Sequence, residues 1–279
     1  MKSLVAAVAV GYLAARLTWL AARPVFALPV LARQNYRGRV LPTATGLVLP
    51  LAAVLVEGGR AVVGSFGVGD GPPSYVRLLV LVAALGFGIL GFVDDLAGSA
   101  ADRGFRGHLR ALADGRVTTG GLKLLGGGVL ALLVVAPVVG ESPGRLVADA
   151  ALVALCANLA NLLDRAPGRT VKVGVAAFAL LALAAERKSA LSGTAVVVGA
   201  ALGLVLDDLH ERLMLGDAGS NVLGAVLGLG VVAACGPSTR DVVLVGVGAL
   251  NVAGELVSFS RVIDAVPPLR AVDRAGRRP

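Results

Sequence analysis

Residues 211–224 read ERLMLGDAGSNVLG, an acidic, glycine-rich turn that lies between two apolar segments. Asp217, at its centre, is the side chain that most needs an explanation, because an aspartate near hydrocarbon costs roughly 2.5–3.5 kcal/mol on insertion scales. The neighbouring Gly216 and Gly219 let backbone come close to whatever the carboxylate holds. The stretch therefore predicts a polar site at the end of a membrane-spanning segment.

The composition of the chain predicts a multi-pass membrane protein. Of its 279 residues, 56% are hydrophobic and 16% are charged, against about 25% charged in an ordinary soluble domain, and the mean hydropathy is +0.83. Apolar runs long enough to cross a bilayer occur near 4–22, 41–56, 76–93, 121–140, 146–163, 171–185, 189–206, 219–236 and 241–259. We therefore expect one integral membrane domain over residues 1–279, an all-α bundle of nine spans. Ten spans or a re-entrant piece stay open, because the second, sixth and seventh runs are short or interrupted by glycine.

The positive charge of the chain follows its topology. The net charge is +8, and most lysines and arginines fall in loops 23–40, 94–120, 164–172 and 207–218 and in the tail after residue 259. If the N-terminus is outside, all of these face the cytoplasm, as the positive-inside rule predicts for a plasma-membrane protein. Nucleic acid is therefore not an expected partner.

Acidic and amide side chains collect at the same side. Asp94 and Asp95 end the third span in GFVDDLAG, and Asp217 follows the seventh span. Three polar residues at i, i+3 and i+6 end the fifth span and cover about a third of a helix circumference, so they are expected to face one cleft; they are Asn158, Asn161 and Asp164. We predict a cytoplasmic cleft that these side chains line.

The donor types in this cleft suit a hard cation. Mg²⁺ prefers one or two carboxylates and takes its other ligands from water and phosphate oxygens, which indicates diphosphate chemistry; Mn²⁺ is the alternative metal. The same face carries cationic or basic side chains suited to phosphate, namely Arg37, Arg39, Arg106, His108, Arg110, Lys123, Arg169 and Lys172. Asp207 and Asp208 are interpreted as solvated helix-end caps, and Cys156 and Cys235 as packing residues.

Three motifs, taken in order, resemble a known enzyme family. GFVDD at 91–95, NLANLLD at 158–164 and MLGDAGSNVLG at 214–224 have the order, spacing and sidedness of the polyprenyl-phosphate N-acetylhexosamine-1-phosphate transferases. NYRGRVLPTATGL at 35–47 and RGFRGHLRALADGRVTTGGLKLL at 103–125 are similar to two of the family's loops. The resemblance spans nearly the whole chain.

The resemblance implies transfer of a sugar 1-phosphate from a UDP-sugar to a polyprenyl phosphate, with release of UMP, in cell-envelope glycan assembly. It implies Asp217 as the Mg²⁺ ligand, with Asp94 and Asp95 as further catalytic and metal-site residues beside the lipid phosphate. The implied substrate-binding residues are Asn158, Asn161, Asp164, Lys123, Arg37, His108 and Arg169. Among these, Asn161 and Asp164 would face the nucleotide or sugar, and Lys123 would neutralise phosphate charge.

Two departures from the family pattern keep alternatives open. The family usually continues its asparagine motif as Asp-Gly-x-Asp-Gly, whereas residues 164–169 read DRAPGR, and no histidine follows the ninth span. One hypothesis is that Arg165 and Arg169 replace the lost phosphate contacts. A non-catalytic membrane scaffold is the main alternative. A secondary transporter fits less well, because its site normally lies near the bilayer midplane and often between repeated halves. A homodimer packed through small-residue faces is also open.

Overall fold

The computed structural model describes residues 2–68, 74–97, 119–140 and 142–278, and within them the chain is almost entirely helical. The α-helices are α1 (Lys2–Phe26), α2 (Val48–Ser65), α3 (Tyr75–Ala97), α4 (Thr119–Val139), α5 (Pro143–Leu163), α6 (Arg169–Ala184), α7 (Ser192–Leu209), α8 (Gly216–Ala234), α9 (Pro237–Leu256), α10 (Phe259–Ala265) and α11 (Pro267–Arg274). Short 3₁₀ turns cover Pro29–Leu31, Thr45–Leu47 and Lys188–Leu191. The predicted all-α membrane bundle is confirmed at this level.

The described residues contain seven helices that are long and apolar enough to cross a membrane. The number is eight if α9 and α10, which meet at a bend of 93°, form one broken span. Helix α6 has only 16 residues, which is short for roughly 30 Å of hydrocarbon. Nine or ten spans therefore remains a prediction.

The second predicted span begins later than its apolar run. The run starts at residue 41, but β1 (Ala32–Gln34) and β2 (Val40–Pro42) form an antiparallel hairpin there. The chain turns at Ala44, which has a left-handed φ of 56°, and α2 continues to Ser65. Pro42 lacks the N–H that a helix interior would use, and the left-handed residue interrupts any helix across this point.

Helix α8 is the centre of the bundle and is almost completely buried. It packs chiefly against α3 and α5, while α1 packs along α7. Helices α1 and α7 cross at glycines, since a Cβ built on Gly11 or on Gly199 would lie 2.0 Å from a carbonyl oxygen of the other helix. Such close backbone approach is how small residues join helices in lipid, where no hydrophobic force draws helices together.

One end of the bundle collects the polar segments of the chain. The Met214 N–H donates to the Pro42 carbonyl at 2.8 Å, and the Gly46 N–H donates to the Leu215 carbonyl at 2.9 Å. The Thr45 hydroxyl donates to the Met214 carbonyl at 2.7 Å. These bonds tie the hairpin to the turn between α7 and α8, which leads directly into Asp217.

The opposite end carries buried ion pairs of its own. Asp149 on α5 has no exposed side-chain surface and is paired with Arg145 and with Arg240 on α9. Glu57 on α2 and Arg77 on α3 lie 3.2 Å apart and are also buried. Because an unpaired charge in an apolar bundle is expensive, these pairs account for the charged residues within otherwise apolar helices.

Candidate active site

Asp95 fixes the start of the central helix. Its Oδ1 accepts the N–H of Asp217, and its Oδ2 accepts the N–H of Ala218, both at 3.0 Å. Gly216 has a φ of +71°, and a Cβ at this position would lie 2.6 Å from the Asp95 carboxylate. A carboxylate at a helix N-terminus is stabilised by the free N–H groups and the helix dipole. Asp95 therefore anchors α3 to α8 and sets the direction in which Asp217 points.

Two carboxylates converge on one ammonium group beside this cap. The Nζ of Lys123, near the start of α4, forms a short ion pair with Asp217 Oδ2. The same Nζ lies 3.5 Å from Asp94 Oδ2. The exposed fractions of these side chains, 18% for Lys123, 28% for Asp217 and 23% for Asp94, leave the cluster open to a ligand arriving from water. Three helices thus deliver three of the predicted site residues to one point.

The end of α5 borders this cluster with neutral and acidic groups. The Asn161 side-chain amide donates to the Ser220 hydroxyl at 3.3 Å and also faces Asp217. Asp164 lies at the C-cap of α5, beside Thr170. Burial, together with the charges of Asp208 and Asp217, raises the pKa of Asp164 well above its ordinary 3.8. Asn161 therefore contacts the carboxylate–lysine cluster, and Asp164 lies close enough for the Asp217 charge to affect its pKa.

Asn158 has a different environment from the other two members of its motif. Its side-chain amide donates to Asn251 Oδ1 on α9 at 2.7 Å. The Asn251 amide in turn donates to the Val247 carbonyl at 2.8 Å and the Leu155 carbonyl at 3.1 Å. This network joins α5 to α9, as polar side chains commonly do between helices in lipid. The structure does not bring Asn158 to the carboxylate cluster.

Arg37 lies at the tip of the hairpin and contacts a buried acid. Its guanidinium lies 3.1 Å from Glu211 Oε1, and Arg39 lies 3.5 Å from Oε2. The Asn35 amide donates to Glu211 at 2.9 Å. Glu211 itself is buried and has a left-handed φ of 52°. These contacts hold the hairpin against the turn before α8. In this conformation Arg37 therefore stabilises the position of the hairpin.

The paired acids at the end of α7 are not the solvated caps that the sequence suggested. Asp207 and Asp208 are 2% and 6% exposed. Asp207 pairs with Arg16 at 2.5 Å and with Arg212 at 3.2 Å. Asp208 accepts the N–H of Gly168 at 2.8 Å. The interpretation was wrong because α1 and the start of α6 pack over this helix end and supply partners that no local pattern reveals.

Arg169 and Lys172, at the start of α6, contact the end of the chain. Arg169 forms a two-pronged pair with Asp273, with N–O distances of 2.8 and 3.0 Å. Burial alone would raise the pKa of Asp273, but the hydrogen bonds and charge of Arg169 and the charge of Arg277 lower it, so Asp273 is anionic. The predicted substrate-binding role of Arg169 is untested, and here its partner is the chain's own carboxylate.

An apolar cavity of about 310 Å³ lies between α5, α6, α8 and α9. Thr170, which hydrogen-bonds to Asp164, and Leu163, which precedes Asp164 in sequence, both line it. Val173 and Leu180 also line it and are exposed on the outer surface of α6. The cavity therefore runs from the outer face of the bundle toward the polar end.

The structure also identifies residues that the sequence did not single out. Ser220 was recognisable, since it follows Asp217 by three positions, one helical turn further on. Thr170, Glu211 and Asp273 had no signal, because each gains its role from a segment distant in sequence. His108 falls outside the described residues, as do Arg106 and Arg110.

Among the described residues, no three His, Cys, Asp or Glu side chains are arranged to hold a metal ion. Comparisons with known proteins add no identity: no protein-family model matches the chain, and the search of curated proteins finds no match. The clearest indication of function is therefore the carboxylate–lysine cluster of Asp94, Asp217 and Lys123 with its surroundings.

Proposed function

We propose that this protein transfers a sugar 1-phosphate, of the N-acetylhexosamine type, from a UDP-sugar to a polyprenyl phosphate and releases UMP. The observation that supports this best is the convergence of Asp94 and Asp217 on Lys123 at one end of an apolar helix bundle. A site that alternates carboxylates and cations suits a metal-bridged diphosphate. A position at the end of a membrane bundle suits a reaction with one lipid substrate and one water-soluble substrate.

The donor set fits a magnesium ion. Asp94 and Asp217 already converge on one cation, Lys123, and Mg²⁺ commonly takes only one or two protein carboxylates. Asp94 and Asp217 would hold the ion, with Mn²⁺ as the alternative. When bound, the metal would neutralise diphosphate charge. Asp95 is better assigned to positioning than to the metal, because both of its oxygens accept backbone hydrogen bonds.

The reaction exchanges one diphosphate linkage for another. An oxygen of the lipid phosphate forms a bond to the phosphorus that carries the sugar, and the bond from that phosphorus to the bridging oxygen breaks. The bridging oxygen leaves with UMP, so no oxidant or net hydrolysis is required. Lys123 would neutralise charge on the transferred phosphate, and Asp94 would orient the lipid phosphate or accept its remaining proton. Asn161, whose amide is held by the buried Ser220 hydroxyl, would orient the nucleotide or sugar.

The apolar cavity supports a lipid acceptor. Its opening between exposed residues of α6 and its inner end near Thr170 would let a prenyl chain enter from the bilayer while its phosphate reaches the polar end. We assign that polar end to the cytoplasm, with nine or ten spans in a plasma-membrane protein, because the loops there carry most of the lysines and arginines.

The test is Mg²⁺-dependent release of UMP from a panel of UDP-sugars by the full chain in lipid with polyprenyl phosphate. We expect turnover with one sugar and its loss in Asp217→Asn. Asp241→Asn is the matched control, because Asp241 is a 60% exposed carboxylate at the other end of the bundle, and this variant should retain activity. A folded protein that turns over no sugar would contradict the proposal and favour the non-catalytic scaffold.

A further inference from the structure

The last residues of the chain pack against the start of α6. We define Pro267–Arg278, which comprises α11 and the residues that follow it, as the C-terminal strap. The 93° bend between α9 and α10 turns the chain across the polar end of the bundle, and the strap then meets Arg169 and Lys172. Arg169 is the last residue of the segment in which the sequence departs from the family pattern, and Lys172 lies three residues further on. Asp164 and Asp208 are nearby.

The strap and α10 together engage every nitrogen of the Arg169 guanidinium. The Nε and Nη2 atoms donate to Asp273 Oδ1 and Oδ2, at 2.8 and 3.0 Å. The Nη1 atom donates to the Ser260 hydroxyl on α10 at 2.9 Å. Arg169 is 5% exposed and Asp273 is 7% exposed. With the strap in place, a soluble anion cannot reach this guanidinium.

The strap also occupies the hydrogen-bond donors of Lys172. Its ammonium group donates to the carbonyl oxygens of Val272, Asp273 and Ala275, at 3.0, 2.7 and 2.8 Å. A lysine has three donors, so none is left for a phosphate. The carbonyls at the end of α11 also favour a cation, because the helix dipole is negative there.

Asp273 lies in an environment that would suit a phosphate group. It contacts a second guanidinium besides that of Arg169, since the Nη2 atom of Arg277 lies 2.7 Å from its Oδ1. Arg277 in turn donates to the Pro167 carbonyl at 2.9 Å, which closes the strap over the α6 start. Planar, two-pronged arginine contacts bind carboxylate and phosphate alike. The carboxylate of Asp273 thus stands where a ligand phosphate could make the same bonds.

We propose that the C-terminal strap is an autoinhibitory element: it masks an anion subsite formed by Arg169 and Lys172, and a diphosphate-bearing ligand must displace it. This inference rests on the proposed function in one respect, namely that the displacing ligand is a nucleoside diphosphate. The described side-chain hydrogen bonds of Arg169 and Lys172 all go to α10 or the strap. Docking of the strap and binding of a ligand at these two cations therefore exclude each other.

The strap is built to be released. Its apolar side chains Leu269 and Val272 are 49% and 66% exposed, so they add little burial on docking. The ion pairs of Asp273 and the carbonyl contacts of Lys172 therefore provide most of the attachment. Segments with few buried apolar contacts open most easily, and a diphosphate offers more charge than one carboxylate.

The test uses the full chain in lipid nanodiscs with UDP as the probe. In the wild-type chain, hydrogen exchange of residues 269–278 should accelerate when UDP binds. Asp273→Asn should bind UDP at least about tenfold more tightly than wild type. The apparent affinity is proportional to the fraction of molecules in which the strap is open, and loss of the Asp273 carboxylate raises that fraction. Asp264→Asn is the matched control, because it removes one carboxylate from the same region of the chain. Asp264 forms only an exposed pair with Arg274, so this variant should change UDP affinity by less than about twofold.

Two results would overturn the inference. One is unchanged or slower exchange of the strap when UDP binds, which would make it a fixed wall of the site. The other is a UDP affinity of Asp273→Asn no higher than that of Asp264→Asn. Release of the strap would then add nothing to the effect of removing one negative charge from this region.

Inorganic pyrophosphate separates this inference from the proposed function. One outcome is that UDP binds neither wild type nor Asp273→Asn, while pyrophosphate binds Asp273→Asn more tightly than wild type and releases the wild-type strap. In that case autoinhibition stands, and the proposal of a nucleotide substrate is wrong. If neither probe binds Asp273→Asn, the strap masks no anion subsite and the inference fails.

Discussion

Replacing Gly91 with alanine should displace Asp217 without removing any polar group. Gly91 lies on α3 against the first turn of α8, and a Cβ built there would be 2.3 Å from the Asp217 carbonyl oxygen and 2.6 Å from the Ala218 nitrogen. Side-chain carbons essentially never approach closer than 3.0 Å, so α3 and α8 must separate by about 0.7 Å or more. The obstructing atoms are backbone, so no rotamer change relieves the contact.

We expect two measurable consequences from this separation. Overpacking of a close helix contact costs about 1–3 kcal/mol of unfolding free energy. A displacement approaching 1 Å at a reacting centre costs on the order of 100-fold in turnover, here because Asp217 moves relative to Lys123. Stability can be followed by thermal unfolding in lipid through Trp19, the single and buried tryptophan, and activity by UMP release.

Gly128→Ala is the matched control for the Gly91 prediction. It also introduces a Cβ in an apolar helix, but nothing lies within 4 Å of that position, so stability and turnover should be unchanged or slightly improved. Equal stability and equal turnover in the two variants would refute the claim that contact between α3 and α8 sets the position of Asp217.

Three further predictions concern other carboxylates. Asp95→Ala removes the cap of α8 and should lower the unfolding free energy by about 0.5–2 kcal/mol, measured by thermal unfolding in lipid. The pKa of Asp164 is raised in the folded protein, so its contribution to stability is greatest below pH 3.8 and falls as pH rises toward the folded pKa. In metal-free buffer, Asp164→Asn should therefore be more stable than wild type at pH 7. The difference in stability should vanish toward pH 4. Asp149→Ala leaves Arg240 buried without its carboxylate and should cost about 3–5 kcal/mol, whereas the exposed Asp241→Asn should cost at most about 1 kcal/mol.

The sequence predicted the helical class and the central acids for a simple physical reason. Apolar runs of about 20 residues must form helices in lipid, because each backbone group has to be satisfied within its own segment. Once the runs alternate across the bilayer, the ends of the third, fifth and seventh fall at one side. Asp94, Lys123, Asn161 and Asp217 could thus be placed near one another, and the structure brings them together.

The remaining features depend on contacts between distant segments. Helical spacing placed Asn158 with Asn161, but the rotation of α5 turns Asn158 toward Asn251 on α9. Asp207 and Asp208 resembled exposed caps until α1 and the Gly168 backbone covered them. Arg169 was expected to bind substrate because it lies on the same predicted face as the acidic residues and because the family resemblance implies it. Only the fold shows that Asp273, 104 residues later, occupies its donors. No periodicity encodes such pairs.

The fate of the two phosphorus atoms distinguishes transfer of the sugar 1-phosphate to lipid from hydrolysis of the UDP-sugar. The full chain would be supplied with Mg²⁺, polyprenyl phosphate and the active UDP-sugar, labelled with ³²P either at the phosphorus that carries the sugar or at the one that carries uridine. We predict that the first label moves into the lipid extract as a polyprenyl diphosphate-linked sugar and that the second stays in water as UMP. With Asp217→Asn, neither the labelled lipid nor labelled UMP should form. Retention of both labels in water, as after hydrolysis of the UDP-sugar or in the absence of any reaction, would contradict the proposed transfer.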